Sequence, residues 1–141
     1  MRAVFILVFL AVASVSYSAK LPPPYSEKRY DVDAIYRELY DLEGKIVKIL
    51  YTAHSPRQDS RSTYGDSIYG KNEVAYIVFP KTVGDARFKE KPSGIKPFVV
   101  YVQVTIGKLR NEYGAEKKGA VLVAVGRETR QGISGPMTYV W

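Results

Sequence analysis

The sequence predicts a mainly β domain of the α+β class, with one amphipathic helix followed by five strands. The strands form either a small barrel or a strongly bent antiparallel sheet. Three observations lead there. The run Phe98 to Gly107 is the longest stretch of strand-forming residues downstream of residue 18. The run Gly119 to Arg127 is apolar on both faces, which places it in the middle of a sheet as well. Only Asp31 to Glu43 repeats its apolar residues at convincing helical spacing.

In chain order, the N-terminus reads as a secretory signal. Arg2 supplies the positive start, Val4 to Val15 the apolar stretch, and Ser16-Tyr17-Ser18 puts small residues at the two positions that matter for a cleavage site before Ala19. The apolar stretch is about a dozen residues, short of the roughly 20 that span a bilayer. Residues 1–18 are therefore expected to be removed, leaving no transmembrane helix and a periplasmic or secreted protein. The chain has no cysteine, which fits a Gram-negative periplasm better than a disulfide-stapled secreted scaffold. Residues 19–30 contain Pro22-Pro23-Pro24 and read as an extended linker. Residues 31–141 read as a single domain, large enough to fold on one core.

The helix is expected over 31–43. Val32, Ile35, Leu39 and Leu42 recur at three- and four-residue steps, with Tyr36 and Tyr40 widening the stripe. Asp31 is a good N-cap, and Asp33 in the first turn suits the positive end of the helix dipole. Gly44 is placed to end the helix in a left-handed conformation. Such a stripe is expected to pack on the protein's own sheet.

The strands follow. Lys45 to Ala53 alternates Val47, Ile49 and Tyr51 with Lys48, Leu50 and Thr52. Residues 54–72 show no hydrophobic period and read as a long loop, a length that is commonly functional or mobile. Glu73 to Phe79 is the second strand, closed by Pro80, and 81–97 is a further loop. The central run puts Phe98, Val100, Val102, Val104 and Ile106 on a core face and Val99, Tyr101, Gln103 and Thr105 on the other. Residues 108–118 read as a polar connector, 119–127 as the fourth strand, 129–135 as a loop, and Met137 to Trp141 as a short last strand whose indole packs.

Charge is uneven along the chain. Residues 27–43 hold six acids against three bases, whereas 44–141 hold sixteen bases against eight acids. A basic domain attracts anionic partners at long range. For an exported protein these are anionic polysaccharide, lipid head groups or an envelope protein; intracellular nucleic acid is not an expected partner. The 54–72 loop interleaves cations with rings, a mix suited to stacking and to charge recognition, and the 81–97 loop adds further cations. The expected ligand contacts are Arg57, Arg61, Tyr64, Tyr69, Lys71, Lys89, Lys91 and Arg130.

No catalytic constellation is visible. The one histidine, His54, adjoins Ser55, but adjacency does not make a triad. Without cysteine or a second histidine no zinc site is expected, and no calcium loop, phosphate loop or paired acids stand in a recognisable setting. The expectation is a non-catalytic binding module without cofactor, or alternatively a structural assembly protein of the cell envelope.

The pattern resembles an OB-fold. Gly44-Lys45-Ile46-Val47 opening the first strand, the long Val99 to Ile106 strand and Gly119 to Gly126 carry the resemblance, which covers roughly 44–141. It implies a ligand groove on one barrel face, flanked by the loops after the first and fourth strands, here 54–72 and 128–136. Folds of this kind host many functions, so the resemblance does not choose among them.

Overall fold

A computed structural model of the chain describes residues 24–58, 63–88, 95–111, 113–130 and 137–140. The expected signal peptide, the loop cations Arg61, Lys89 and Lys91, and Trp141 lie outside the described residues. In chain order the elements are β1 (Arg29–Tyr30), α1 (Val32–Arg37), α2 (Leu39–Leu42), β2 (Ile46–Tyr51), β3 (Arg57–Gln58), β4 (Tyr64–Tyr69) and β5 (Val74–Phe79). Then come α3 (Lys81–Arg87), β6 (Phe98–Arg110), β7 (Glu116–Arg130) and β8 (Met137–Val140). The strands form one sheet in the order β1-β2-β6-β7-β5-β4-β3, with β8 added on β7. The sheet is mixed rather than wholly antiparallel, because β1 runs parallel to β2 and β5 parallel to β7.

The expected central strand is central. β6 pairs with β2 on one side and β7 on the other, and Val100, Val102 and Val104 are fully buried, as the alternation requires. Ala120, Leu122 and Ala124 of β7 lie beside them on the same buried face of the sheet. The register slips by one between Tyr101 and Val102, so Val125 is the extra residue of a bulge in β7. A bulge bends its strand and increases twist, which helps a long strand follow a curved sheet.

Four expected loops or connectors contain structure. The 54–72 stretch holds β3 and β4, the 81–97 stretch opens with α3, and 108–118 is the end of a β6–β7 hairpin. The expected 129–135 loop likewise begins inside β7, which runs to Arg130. β4 is hard to see in the sequence because Gly65, Asp66 and Ser67 are poor strand formers. The hairpin outruns both neighbours. β2 pairs with β6 only up to Gln103, and β5 meets β7 only from Val121 onward. The segment beyond is a two-stranded arm, turned by Gly114 at φ +84°.

The expected helix is broken in two at Glu38, whose N–H reaches back only to the Ile35 carbonyl at 3.2 Å. The apolar stripe survives the break: Val32, Ile35, Leu39 and Leu42 are all buried. Tyr40, by contrast, is 77% exposed and lies off the stripe. Asp31 caps α1 by accepting from the Ala34 N–H at 2.7 Å, a contact worth about 1 kcal/mol. Gly44 takes φ +81° after α2, and its N–H donates to the Val104 carbonyl at 2.7 Å, so the chain turns directly into the β2–β6 ladder. The end of the expected linker is also docked. Tyr25 donates its N–H to the Ile46 carbonyl, and Tyr30 is buried in β1.

One core joins all of this. Val47, Ile49 and Tyr51 meet Ala75, Ile77 and Phe79, the inner side of β6 and β7, and the α1–α2 stripe. At the far end of the strands Phe88, just after α3, packs against Tyr51, Phe79 and Tyr64 with ring centroids 5.1 to 6.0 Å apart. The sheet is thus covered at one end by α1–α2 and at the other by α3. Tyr51 of β2 also touches β4, at the opposite margin of the sheet, through Asp66. The margins therefore approach each other, yet among the described residues no ladder joins β2 to β4. The sheet is curled and open along a β2/β4 seam.

Candidate ligand-binding surface

The seam is held at its upper end by one carboxylate. Asp66 is 2% exposed and accepts three donors: the Tyr51 hydroxyl at 2.6 Å, the His54 N–H at 2.8 Å and the Ser55 N–H at 2.8 Å. A buried carboxylate is tolerable only when so satisfied. Burial and the bond to Asp66 push the Tyr51 hydroxyl far above its ordinary pKa. Asp66 therefore does with a side chain what a strand ladder would otherwise do. β3 extends the closure by pairing Arg57 with Gly65 and Gln58 with Tyr64.

Below Asp66 the seam opens into a cleft of about 480 Å³. One wall is β1 with the adjoining part of β2, bearing Arg29, Tyr30, Ile49 and Leu50; the other is the end of β4 with Ile68, Tyr69 and Lys71. Asp31 and Asp33 lie at its floor and are both occupied with backbone donors. Asp33 accepts from the N–H groups of Lys71, Asn72 and Glu73 at 2.6, 3.0 and 3.1 Å. The bonds from Asn72 and Lys71 hold its carboxyl below the usual carboxylate range. The expectation that Asp33 serves the helix dipole misses this larger role: it ties α1 to the β4–β5 turn. Arg29 and Lys71 are exposed and form no ion pair with a described residue.

Of the expected contacts, the structure strings Arg57, Tyr69 and Lys71 along β4. Arg57 lies opposite Gly65 near its start, Tyr69 ends it, and Lys71 lies two residues beyond. Tyr69 is 59% exposed and meets the His54 ring edge-to-face at 4.9 Å. Tyr64 is a correction. Its ring is in the core, and its hydroxyl donates to Asp85 at 2.8 Å, a bond that with burial raises its pKa. It faces inward because it shares the Asp66 and Ile68 side of β4, the side that packs against the core. Arg130 ends β7 opposite Met137 of β8, away from β4 in strand order.

The outer side of β4 and β5 carries Tyr69 across from Val74, and Tyr76 across from Ser67. The Tyr76 ring lies over Gly65, where an added Cβ would meet its hydroxyl oxygen at 1.8 Å. Two rings, Tyr69 and Tyr76, thus share a strip with a cation near each end of β4. Arg29, Leu50 and Tyr76 are additions to the sequence-derived set. Nothing in the sequence alone shows that β1 folds back to bring Arg29 to the cleft that Lys71 lines.

A third basic feature is the β6–β7 arm. Lys108 lies directly opposite Lys118 in the ladder, an unfavourable like-charge pair. The Arg110 rung pairs with Glu116, and Lys117 reaches Glu73 at 3.2 Å. The tip is ordered by Asn111, whose side chain accepts from the N–H groups of Tyr113 and Ala115 at 2.9 Å. Tyr113 stands 86% exposed on that turn.

Among the described residues no group of three His, Asp or Glu side chains could hold a metal ion. No helix of the described residues is long and apolar enough to cross a membrane. No family model matches the chain, and no curated protein matches it. A solved structure described as "a putative aspartyl-tRNA synthetase from Leishmania major Friedlin" is similar at 14% identity and a TM-score of 0.44. That alignment covers 81% of this chain and 24% of the other, so the chain spans about a quarter of that protein's length. A likeness of this size carries no argument about function.

Proposed function

We propose that this chain is an exported, non-catalytic binding module of the OB type that takes an anionic or carbohydrate ligand on the outer side of β4 and β5. The fold part of the reading is supported by strand order. Counting β2, β4, β5, β6 and β7 as strands one to five, the sheet order is one-four-five-three-two, with three and five parallel. A five-stranded, partly open Greek-key barrel has this cyclic order, opened here between strands one and two. α3 then falls between strands three and four, as in that architecture.

The observation that carries the binding reading is the strip along β4. Arg57, Tyr76 and Tyr69 follow one another over about 13 Å at the usual strand rise, and Lys71 lies in the turn just beyond. Rings offer flat faces for a sugar, while cations near both ends of the strand suit a ligand with repeated negative charge. The excess of bases over acids in residues 44–141 adds attraction at a distance.

The test is a titration of the purified chain with heparin and with an uncharged glucan at two salt concentrations. Binding to heparin that weakens steeply with salt, and falls at least tenfold in Arg57→Glu/Lys71→Glu and in Tyr69→Ala, is the expected result. Absence of binding to both polymers at low salt, or binding indifferent to these substitutions, would overturn it.

A further inference from the structure

We infer that Arg87 and Arg127 form a binding site for a phosphate or sulfate group at the α3 end of the sheet. The two arginines arrive there for separate reasons. Directly paired residues of β6 and β7 share a face of the sheet, and along β7 the buried positions run Ala120, Leu122, Ala124. Simple alternation would next put Gly126 opposite Val100. The bulge at Val125 inserts one residue, so the partner of Val100 is Arg127 instead. An arginine thereby takes a place on the face that Val100 and Phe98 share. Phe98, two residues from Val100, is its diagonal neighbour, at the roughly 7–8 Å that long side chains span. Arg87 comes from the last turn of α3. It follows Val83 by one turn, and Val83 packs against the core, so Arg87 shares the stripe that meets the sheet. Its guanidinium carbon lies 4.5 Å from the centroid of the Phe98 ring. Phe98 thus has one arginine over it and another beside it.

The surroundings leave both cations unanswered. Each is half-buried, and among the described residues neither forms an ion pair or donates a hydrogen bond. The carboxylate of α3, Asp85, stands two residues before Arg87. Residues two apart on a helix do not face each other, and Asp85 accepts the Tyr64 hydroxyl. Burial and the charge of Arg127 both lower the Arg87 pKa, and no carboxylate of a described residue offsets them. A cation in the last turn suits the negative end of α3, which accounts for Arg87 and not for Arg127. The ring attracts the Arg87 cation without consuming its fork of N–H donors. Two such forks with like charge are matched by one dianionic oxyanion, which accepts from both and removes their repulsion; a carboxylate carries charge for only one. Half-burial keeps salt and water from screening that attraction as fully as on an open surface. The site shares no residue with the β4 strip or the cleft, and it stands whether or not that strip binds a polysaccharide.

The test follows the arginine Nε–H signals of the whole chain by NMR, assigned through Arg87→Gln and Arg127→Gln. Sulfate, inorganic phosphate and acetate are titrated in turn, with ionic strength held constant by chloride. Sulfate and phosphate should move the Arg87 and Arg127 signals together and saturably, with affinity about tenfold or more above that of acetate. Arg127→Gln should weaken the response of Arg87 about tenfold or more, and Arg87→Lys, which keeps the charge and loses the fork, should weaken that of Arg127 severalfold. In chloride alone Arg127→Gln should melt no lower than the native chain, because it removes a repulsion; a lower melting point would show a structural arginine and overturn the proposal. Signals that do not move, that move without saturating, or that answer acetate as strongly as sulfate would overturn it too. Heparin separates the two sources of such a group. If it moves the same two signals, the sulfate of a polymer is a ligand; if only the small anions do, the ligand is a free oxyanion. Either result upholds the site.

Discussion

The two ends of the β2/β4 seam meet the same problem in opposite ways. Each end has a carboxylate that accepts three donors. At the closed end Asp66 is buried and joins β4 to the chain just after β2. At the open end Asp33 is half-buried and binds three successive N–H groups of the turn after β4, leaving the strand edges above it unbridged. The same hydrogen-bond count therefore closes the sheet in one place and holds a cleft open in the other. The difference lies in which backbone the carboxylate reaches, and burial decides how much each contact contributes.

The closed end is broken most severely at Asp66. Asp66→Ala would leave a buried hydroxyl and two N–H groups without their acceptor, a loss of roughly 3–5 kcal/mol. Urea unfolding should show the midpoint falling with the slope unchanged. A loss below about 1 kcal/mol would mean that water replaces the carboxylate and that the closed end does not depend on it. Tyr51→Phe is the milder version. It keeps the ring packed against Phe79 at 4.9 Å and Phe98 at 5.6 Å and removes one of the three donors. The same measurement should give about 1–2 kcal/mol. A larger loss than that of Asp66→Ala would contradict the ranking.

Much of the core is legible in the sequence, and the seam is not. Val100, Val102 and Val104 announce their strand because β-branched residues at every second position suit a sheet and little else. Asp31 and Gly44 announce the two ends of the helical segment, and both act as read. β4 escapes notice because its inward residue at the seam is a carboxylate. In Tyr64-Gly65-Asp66-Ser67 the alternation is real, but a polarity scale cannot see that Asp66 is satisfied inside. α3 escapes notice because Lys81 to Arg87 includes Gly84. That glycine is required by the Tyr64 ring, whose nearest atom would lie 1.8 Å from an added Cβ. The extended arm reads as a connector because its exposed faces carry charge on both strands. For the candidate site, Arg57, Tyr69 and Lys71 can be chosen from composition. Their arrangement along one strand, and the arrival of Arg29 from β1, depend on pairing that no local pattern encodes.

A smaller effect is expected where another side chain stands between strands. The Tyr36 hydroxyl donates to the Val74 carbonyl at 2.6 Å and accepts from the Ala120 N–H at 3.0 Å, just where β5 and β7 part. Tyr36→Phe should cost about 1 kcal/mol, because the site is partly open and water can replace one bond. Hydrogen exchange at Ala120 should accelerate more than at Leu122; equal acceleration would mean that the whole β5–β7 pairing had loosened.

The mildest and most selective test is Asp33→Asn. The folded chain lowers the Asp33 pKa through backbone bonds from Asn72 and Lys71, so the folded state favours the ionised form more than the unfolded state does. Its contribution is therefore complete at neutral pH and is lost as pH falls below about 4 and through the folded value. The substituted amide cannot titrate and offers one acceptor oxygen in place of two. Melting temperatures recorded between about pH 2 and pH 7 should show the variant below the native chain at neutral pH, with the gap narrowing below about pH 4. A gap constant across that range would show that the charge on Asp33 contributes nothing, leaving hydrogen-bond geometry alone to hold the turn that carries Lys71. Faster exchange at Lys71, Asn72 and Glu73, with Arg29–Tyr30 unchanged, would locate the effect on the β4 wall of the cleft. Acceleration on both walls would instead mean that Asp33 supports α1 and β1 together, so that the open end of the seam moves as one unit.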